Sequence, residues 1–332
     1  MHYGISLIDA AQPGPKLPRM SLDRLYRLMV MIGMLGALAT IEGCERKPPV
    51  ASTDTTVQKQ ESAVDSTTTP VVGSGWNAAA GPALLVQGET RDEAILLLGE
   101  DRDSTALSQV RALGDKGANV TLFGRGGASL SGQLGVAPAA PDPECRVWPL
   151  RNVHGEGNAS TWAVGFMGSQ VSPLPLDSID VLSPRDSTTL VAEASRLASL
   201  VTTVTDPSFQ GLRFTAHDIR RFEVSPGRQA IVAHLVRRVN QEANPQEEQT
   251  LLIAERDSGA TSGPYQLAYA ERVHGLEEQS TMPEVIAGVR IAGRPTLIVA
   301  RDSDAGVAYA MLERTGPHRW RIRWTSSMTR CG

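Results

Sequence analysis

TLLIAERDSGATSGPYQLAYAER, residues 250–272, and TLIVARDSDAGVAYAMLER, residues 296–314, carry the same pattern twice. Each is an apolar run, an Arg-Asp-Ser turn, then a Tyr-containing run that ends in Glu-Arg. A further apolar run precedes each copy, at residues 230–235 and 285–291. Short apolar or alternating runs bounded by turn residues read as β-strands. The offset of roughly 45 residues matches one propeller blade or one repeated meander. A last run, WRIRWT at residues 320–325, alternates apolar and polar residues and predicts one more strand.

The first half has the same texture in shorter pieces. Residues 83–87 (ALLVQ) and 94–98 (AILLL) flank the polar GETRDE and predict a hairpin. Residues 104–113 suit a short helix with Gly114 just past its end. Residues 119–123 (NVTLF) read as a strand that enters a glycine-rich turn, GRGGASLSG, ahead of residues 133–136. Three prolines at 137–143 break the pattern, and residues 146–150 and 161–166 are further strand candidates.

One longer helix is expected at roughly 184–204. Ser183, Pro184 and Asp186 form its start, as cap, first residue and early acid. Leu190, Val191, Ala194, Leu197, Ala198, Val201 and Val204 then recur at helical spacing, and Asp206-Pro207 marks the expected end. The fold class expected is mainly β: antiparallel meander repeats, as a sandwich, open barrel or propeller-like array, with one long amphipathic helix.

The second copy with its last strand, residues 285–324, resembles degenerate FG-GAP-type repeats of bacterial surface proteins. Those build propeller blades and often hold calcium in an Asp-rich loop after the first strand. Here that loop reads Ala292-Gly293-Arg294, without acids, so the resemblance carries no calcium site. Two copies are too few for a closed propeller, which needs at least four blades.

Ahead of the β-rich part lies MSLDRLYRLMVMIGMLGALATIEGC, residues 20–44. Arg24 and Arg27 precede an apolar run at 28–41, which is short for a spanning helix but right for an export signal. Ile41, Glu42, Gly43 and Cys44 resemble a bacterial lipoprotein lipobox, Glu42 being the departure. The resemblance implies a signal peptide at 20–43, lipidation of Cys44 and a membrane anchor. Glu45 is not the aspartate linked to inner-membrane retention, which leans the expectation to the outer membrane. Residues 1–19 fit no export signal and read as a gene-model extension before a start at Met20. Residues 44–75 hold the anchor cysteine and a Ser-, Thr- and Pro-rich tether without aromatics, a composition that stays disordered. Ordered structure is expected as a β-rich part at 76–182, the helix at 183–206 and a β-repeat part at 207–332.

The net charge of −4 gives no reason to expect nucleic acid as a partner. With Cys44 acylated, Cys145 and Cys331 remain as one pair in an oxidising compartment. A bridge closing so long a loop contributes roughly 3–5 kcal/mol in the chain-entropy model.

Residue patterns that carry chemistry are sparse. No two of His154, His217, His234, His274 and His318 have zinc-ligand spacing, so no metal and no cofactor are expected. His217 and Asp218 are adjacent, and strand neighbours point to opposite faces, so a shared role is not expected. Gly124 to Gly127 lack the Lys-Ser/Thr of a phosphate loop and read as a tight turn. Asp101, Asp103, Asp302 and Asp304 read as solvated turns. Arg213, Arg220, Arg221, Arg228, Arg237 and Arg238 form a basic cluster that Glu242, Glu247 and Glu248 can compensate. Its sharper reading is a surface for an anionic lipid or polysaccharide. The functional expectation is therefore an exported, membrane-anchored, non-catalytic envelope module that binds or structurally supports an envelope protein or polysaccharide, the alternative to the anchor being an ordinary secreted protein in which Cys44 is incidental. Its rival is a hydrolase of envelope polymers with a site in the loops at 152–160 or 240–249. The binding reading expects the five histidines to be dispersed.

Overall fold

The computed structural model describes residues 83–99, 104–139, 145–155, 161–167, 170–201, 206–239, 245–258, 263–276 and 280–331. They belong to one unit, Thr67–Gly332. The export signal, Cys44, the tether, Asp101, Asp103 and Glu242 lie outside the described residues.

The first half folds into a closed six-stranded antiparallel barrel. Its strands are β1 (Leu84–Gln87), β2 (Glu93–Leu97), β3 (Asn119–Phe123), β4 (Ser129–Leu134), β5 (Val147–Gly155) and β6 (Val164–Phe166). They run in the order β1-β2-β5-β4-β3-β6, and β6 pairs back to β1. The expected hairpin at 83–98 is β1–β2, in register from Leu84–Leu97 to Gln87–Ala94. Helix α1 (Ser104–Asp115) packs Ala106, Val110 and Leu113 against the barrel core of Leu85, Leu122, Leu134 and Trp148. The Trp148 indole N–H donates to the Gly135 carbonyl at 2.9 Å, which satisfies its one buried polar group.

The glycine-rich turn is shorter than its composition suggests. It closes within Gly124–Ala128, where the Gly124 amide donates to the Ala128 carbonyl, and Ser129 already pairs with Phe123. Gly127 sits at φ 85°, and a Cβ there would lie 2.9 Å from Pro175.

The second half is a sandwich of two five-stranded antiparallel sheets. Short strands β7 (Val171–Pro173) and β8 (Asp177–Ser178) leave the barrel and join one sheet each. Helix α2 (Pro184–Ser199) follows. Then come β9 (Thr215–Ser225), β10 (Arg228–Val239), β11 (Gln246–Asp257), β12 (Gln266–Leu276), β13 (Met282–Ile291), β14 (Arg294–Ser303), β15 (Gly306–Gly316) and β16 (Arg319–Thr325). The first sheet is ordered β12-β11-β10-β9-β8 and the second β16-β15-β14-β13-β7.

The repeat is real but its frame differs from the one the sequence suggested. By position in the sheets, β9–β12 corresponds to β13–β16, so residues 250–272 and 296–314 are one strand out of step. The matching hairpins turn at Pro226-Gly227 and Ala292-Gly293, each before an arginine. Strand β9 has no clear apolar run, because its arginines mask the buried pattern of Ile219, Phe222 and Val224.

The layers stack as barrel, second sheet, first sheet, α2. Leu84, Val86, Phe123 and Phe166 on the barrel exterior pack on Val289, Ile298 and Met311 of the second sheet. Phe222, Val232, Leu251 and Ile253 of the first sheet meet Leu297, Val299, Leu312 and Trp320 of the second. Leu190, Ala194 and Leu197 of α2 cover Ile231, Ala233, Leu235 and Leu252. Strands β10, β11 and β14 are thus covered on both faces, which is why they read as continuous apolar runs.

The ends of both helices and one strand pattern differ from expectation. Helix α1 runs through Gly114 to Asp115, where Gly114 was expected just past its end. Helix α2 ends at Ser199, and Asp206 instead caps a separate short 3-10 turn, Pro207–Phe209. Strand β16 does not alternate strictly. A register shift opposite Met311/Leu312 puts Trp320 in the sandwich core, Trp324 on the barrel side and Ile322 in solvent. Cys145 and Cys331 are joined as a disulfide with Cα atoms 5.0 Å apart, tying the entry of β5 to the chain beyond β16.

Candidate functional site

The polar chemistry collects around the sandwich, and the basic cluster does not act as one surface. Arg237 and Arg238 stand opposite Glu248 and Glu247 in the β10–β11 register. Their Nε atoms donate to those carboxylates at 2.8 and 2.7 Å. The compensation by Glu247 and Glu248 is therefore present, but on strand β11, which begins at Gln246 inside the expected loop at 240–249. Cross-strand pairing makes this possible: each acid that enters the sheet meets a guanidinium directly opposite. The loop at 152–160 is likewise partly strand, since β5 runs to Gly155. Arg220 pairs with Asp218 at 2.9 Å and Arg228 with Asp257 at 2.8 Å. Arg213 and Arg221 make no ion pair with a described residue.

Glu248 is fully buried and holds two arginines on one oxygen, Arg237 at 2.8 Å and Arg272 at 3.2 Å. Arg272 also donates to the Ala198 carbonyl at 2.8 Å, so it closes the C-terminal end of α2. Burial lowers the Arg272 pKa, against the pull of Glu248. Arg237 lies over Phe214, 4.7 Å from the ring centroid, a cation–π contact.

At the other end of β11, Glu255 is also fully buried. It accepts from Arg314 at 2.7 and 2.9 Å, from the Trp320 indole at 2.7 Å and from the His318 amide at 3.1 Å. Burial raises its pKa, but the Arg314, His318 and Trp320 donors outweigh that and hold it below the ordinary glutamate value. These contacts join the two sheets, as do the Glu271–Arg301 ion pair at 2.6 Å and Arg290 donating to the Val224 carbonyl at 2.9 Å.

A cleft of about 240 Å³ opens where β9 and β10 meet the start of β13 and the β3–β4 turn. His217, Asp218, Arg220 and His234 line one side; Arg125, Met282 and Glu284 line the other. Arg125 pairs with Glu284 and so bridges the barrel to the sandwich. The imidazoles of His217 and His234 lie 4.8 Å apart. The expectation of dispersed histidines fails here, and so does the separation of His217 from Asp218. The cause is a register shift at His234/Leu235, which makes β9 bulge so that both residues line the cleft.

His234 is 5% exposed, and its Nε2 lies 2.8 Å from Gln249 Oε1. Gln249 in turn donates to the Ser280 hydroxyl at 2.9 Å. The Gln249 amide oxygen therefore accepts a hydrogen bond from the His234 Nε2–H, leaving Nδ1 as the acceptor nitrogen of the neutral ring. Burial lowers the His234 pKa, with His217 adding to the effect, although the Gln249 bond and the nearby acids oppose it. The other histidines stand apart. His154 Nδ1 lies 2.6 Å from the Asn152 carbonyl, His274 faces Phe209, and His318 belongs to the Glu255 cluster. Among the described residues no group of three His, Cys, Asp or Glu side chains is placed to hold a metal ion.

The cleft groups can bind more readily than they can react. Arg220 and Asp218 neutralise each other, as do Arg125 and Glu284, and Gln249 separates His234 from the Ser280 hydroxyl. Comparison with known families, with curated proteins and with solved structures finds no match to this chain.

Proposed function

We propose that this chain is an exported, membrane-anchored envelope module that binds a polar ligand in the cleft between the barrel turn and the sandwich. The observation that carries the reading is the pairing of the cleft charges: Asp218 with Arg220 and Glu284 with Arg125. Such pairs present fixed dipoles to a ligand while leaving no carboxylate free to act as a base. The signal-like residues 20–43, the lipobox-like Cys44 and the tether to residue 75 support delivery to the envelope and attachment there.

Recovery of the tethered chain from its own envelope tests this reading. A polymer or protein should come down with the wild type, remain chemically unchanged, and be lost in Glu284→Ala. Turnover of an envelope polymer that disappears in His234→Ala would instead establish the hydrolase. Metabolic labelling with an alkyne fatty acid should tag the wild type and not Cys44→Ser; equal labelling of both would remove the anchor.

A further inference from the structure

A second cavity, of about 330 Å³, lies where β9 begins and β10 ends. Arg213, Thr215, His217, Arg237 and Arg238 supply its polar lining, and no acidic residue lines it among the described residues. We propose that this cavity is an oxyanion site for one acidic sugar unit, a uronate or a sugar phosphate, of an anionic polysaccharide. It shares only His217 with the cleft above and stands whether or not that cleft binds anything.

Three features carry the proposal. First, the counter-charges are held back from the lining. Glu247 and Glu248 are 5% and 0% exposed, take the Nε atoms of Arg238 and Arg237, and do not line the cavity, whereas Arg213 and Arg237 do. Second, donors remain for a ligand. Arg213 makes no ion pair with a described residue, and among the described residues Arg237 makes its hydrogen bond through Nε alone while its flat face rests on Phe214. A planar guanidinium fork matches a carboxylate or phosphate with two parallel bonds. Third, Arg237 is already ordered by Glu248 and by Phe214, so little side-chain freedom is lost when an anion arrives.

Size and shape choose the class of anion. The volume lies near the lower end of ligand pockets, which suits one sugar ring better than an extended chain. A recess between strand ends admits a projecting sugar acid, whereas a membrane surface needs a broad exposed basic face. The Thr215 hydroxyl adds a neutral donor and acceptor of the kind sugar hydroxyls use. The structure also divides the basic cluster: Arg220 lines the other cleft, Arg228 pairs with Asp257, and Arg221 stands opposite Asp177 of β8.

Calorimetric titration of the intact chain with glucuronate, glucose 6-phosphate and neutral glucose tests the site. Saturable binding of both acidic sugars, with none of glucose, is expected. Arg213→Ala should weaken it about tenfold, the worth of one charge-assisted contact, and Arg213→Lys should recover part of the loss. Arg238→Ala should weaken it too, while Arg323→Ala, an exposed arginine of β16, should not. Equal affinity in Arg213→Ala, or an equal loss in Arg323→Ala, overturns the proposal. So does tight association with phosphatidylglycerol vesicles in the absence of any binding to the free acidic sugars, which would make the face a membrane contact.

Discussion

The two sheets of the sandwich have the same strand order and very different ways of covering their outer faces. The second sheet lies against the barrel, a sheet-on-sheet contact with an apolar centre of Leu84, Val86, Phe123 and Phe166 against Val289, Ile298 and Met311, and the Arg125–Glu284 pair at its edge. The first sheet is covered by one helix. A helix of 16 residues is about 24 Å long, while the 12-residue strands β10 and β11 run to about 40 Å. Apolar cover therefore runs out before the strands do. Where it ends, charges take over: Arg237, Glu248 and Arg272 follow Leu235, Leu252 and Ala270 along the helix-facing side of the strands. The lesson is that buried ion pairs in this fold mark the ends of hydrophobic cover, and that the open cavities sit beside them.

The largest way to disturb this difference is to cut the disulfide, which belongs to the barrel-backed side alone. The bridge spans 186 residues, so its loss should cost about 5 kcal/mol by loop closure. Cys145→Ser with Cys331→Ser should lower the unfolding free energy extrapolated from urea denaturation by that amount. Hydrogen exchange should then rise first in β15 and β16, where Ser327 donates to Leu98 and Thr329 pairs with Val307. Equal loosening of β9–β12 would mean that the two sheets are not independently covered.

Next in size is Glu255, a buried point where the sheets are held together by charge. Glu255→Gln should cost about 3–5 kcal/mol in chemical denaturation, because Arg314 is left as a buried cation with one partner weakened. The pH dependence has a definite sign. The folded pKa lies below the unfolded one, so the stabilisation is complete above the unfolded value of about 4.3 and is lost as pH falls through the folded pKa. The gap between wild type and Glu255→Gln should narrow as the medium is acidified from neutrality towards pH 3. A gap constant with pH would mean that the carboxylate charge is not what stabilises the site.

Much of this was written locally. The apolar runs at 230–235, 250–254 and 296–300 become the cores of β10, β11 and β14, and Ser183-Pro184 starts α2 as expected. The cysteine pairing followed from counting. Barrel closure was not legible, because β1–β6 and β2–β5 join residues far apart in sequence with no local mark. The cleft was hidden for a different reason. Its geometry depends on a bulge at His217, and a bulge is a disagreement between two strands, not a property of either one. Glu247 and Glu248 looked like loop residues because their partners, Arg237 and Arg238, are assigned only once the register is known.

Leu197 tests the helix-covered face by itself. It is 2% exposed and sits in the cluster with Leu190, Ala194 and Leu252. Leu197→Ala should cost about 3 kcal/mol, from lost burial and the cavity left behind. Exchange protection should fall in β9–β11 while β13–β15 keeps its own, since their outer faces share no cover.

The smallest effect is the most selective. Ser183 accepts from the Asp186 amide at 3.2 Å and donates its hydroxyl to the Asp186 carboxylate at 2.8 Å, the cap that starts α2. Ser183→Ala removes both bonds without touching the core, and should cost about 1 kcal/mol. Because Arg272 ties the far end of the same helix to Glu248, fraying should stay in the first turn around Pro184 to Ser187. Thermal denaturation should therefore show a small drop with unchanged cooperativity. Pairing Ser183→Ala with Leu197→Ala should give nearly additive losses, as expected for sites that share no partner. A coupling of more than about 0.5 kcal/mol would show that the helix docks as a single rigid lid whose two ends feel each other. In that case the charged end of the first sheet would depend on the cap as well as on its own ion pairs.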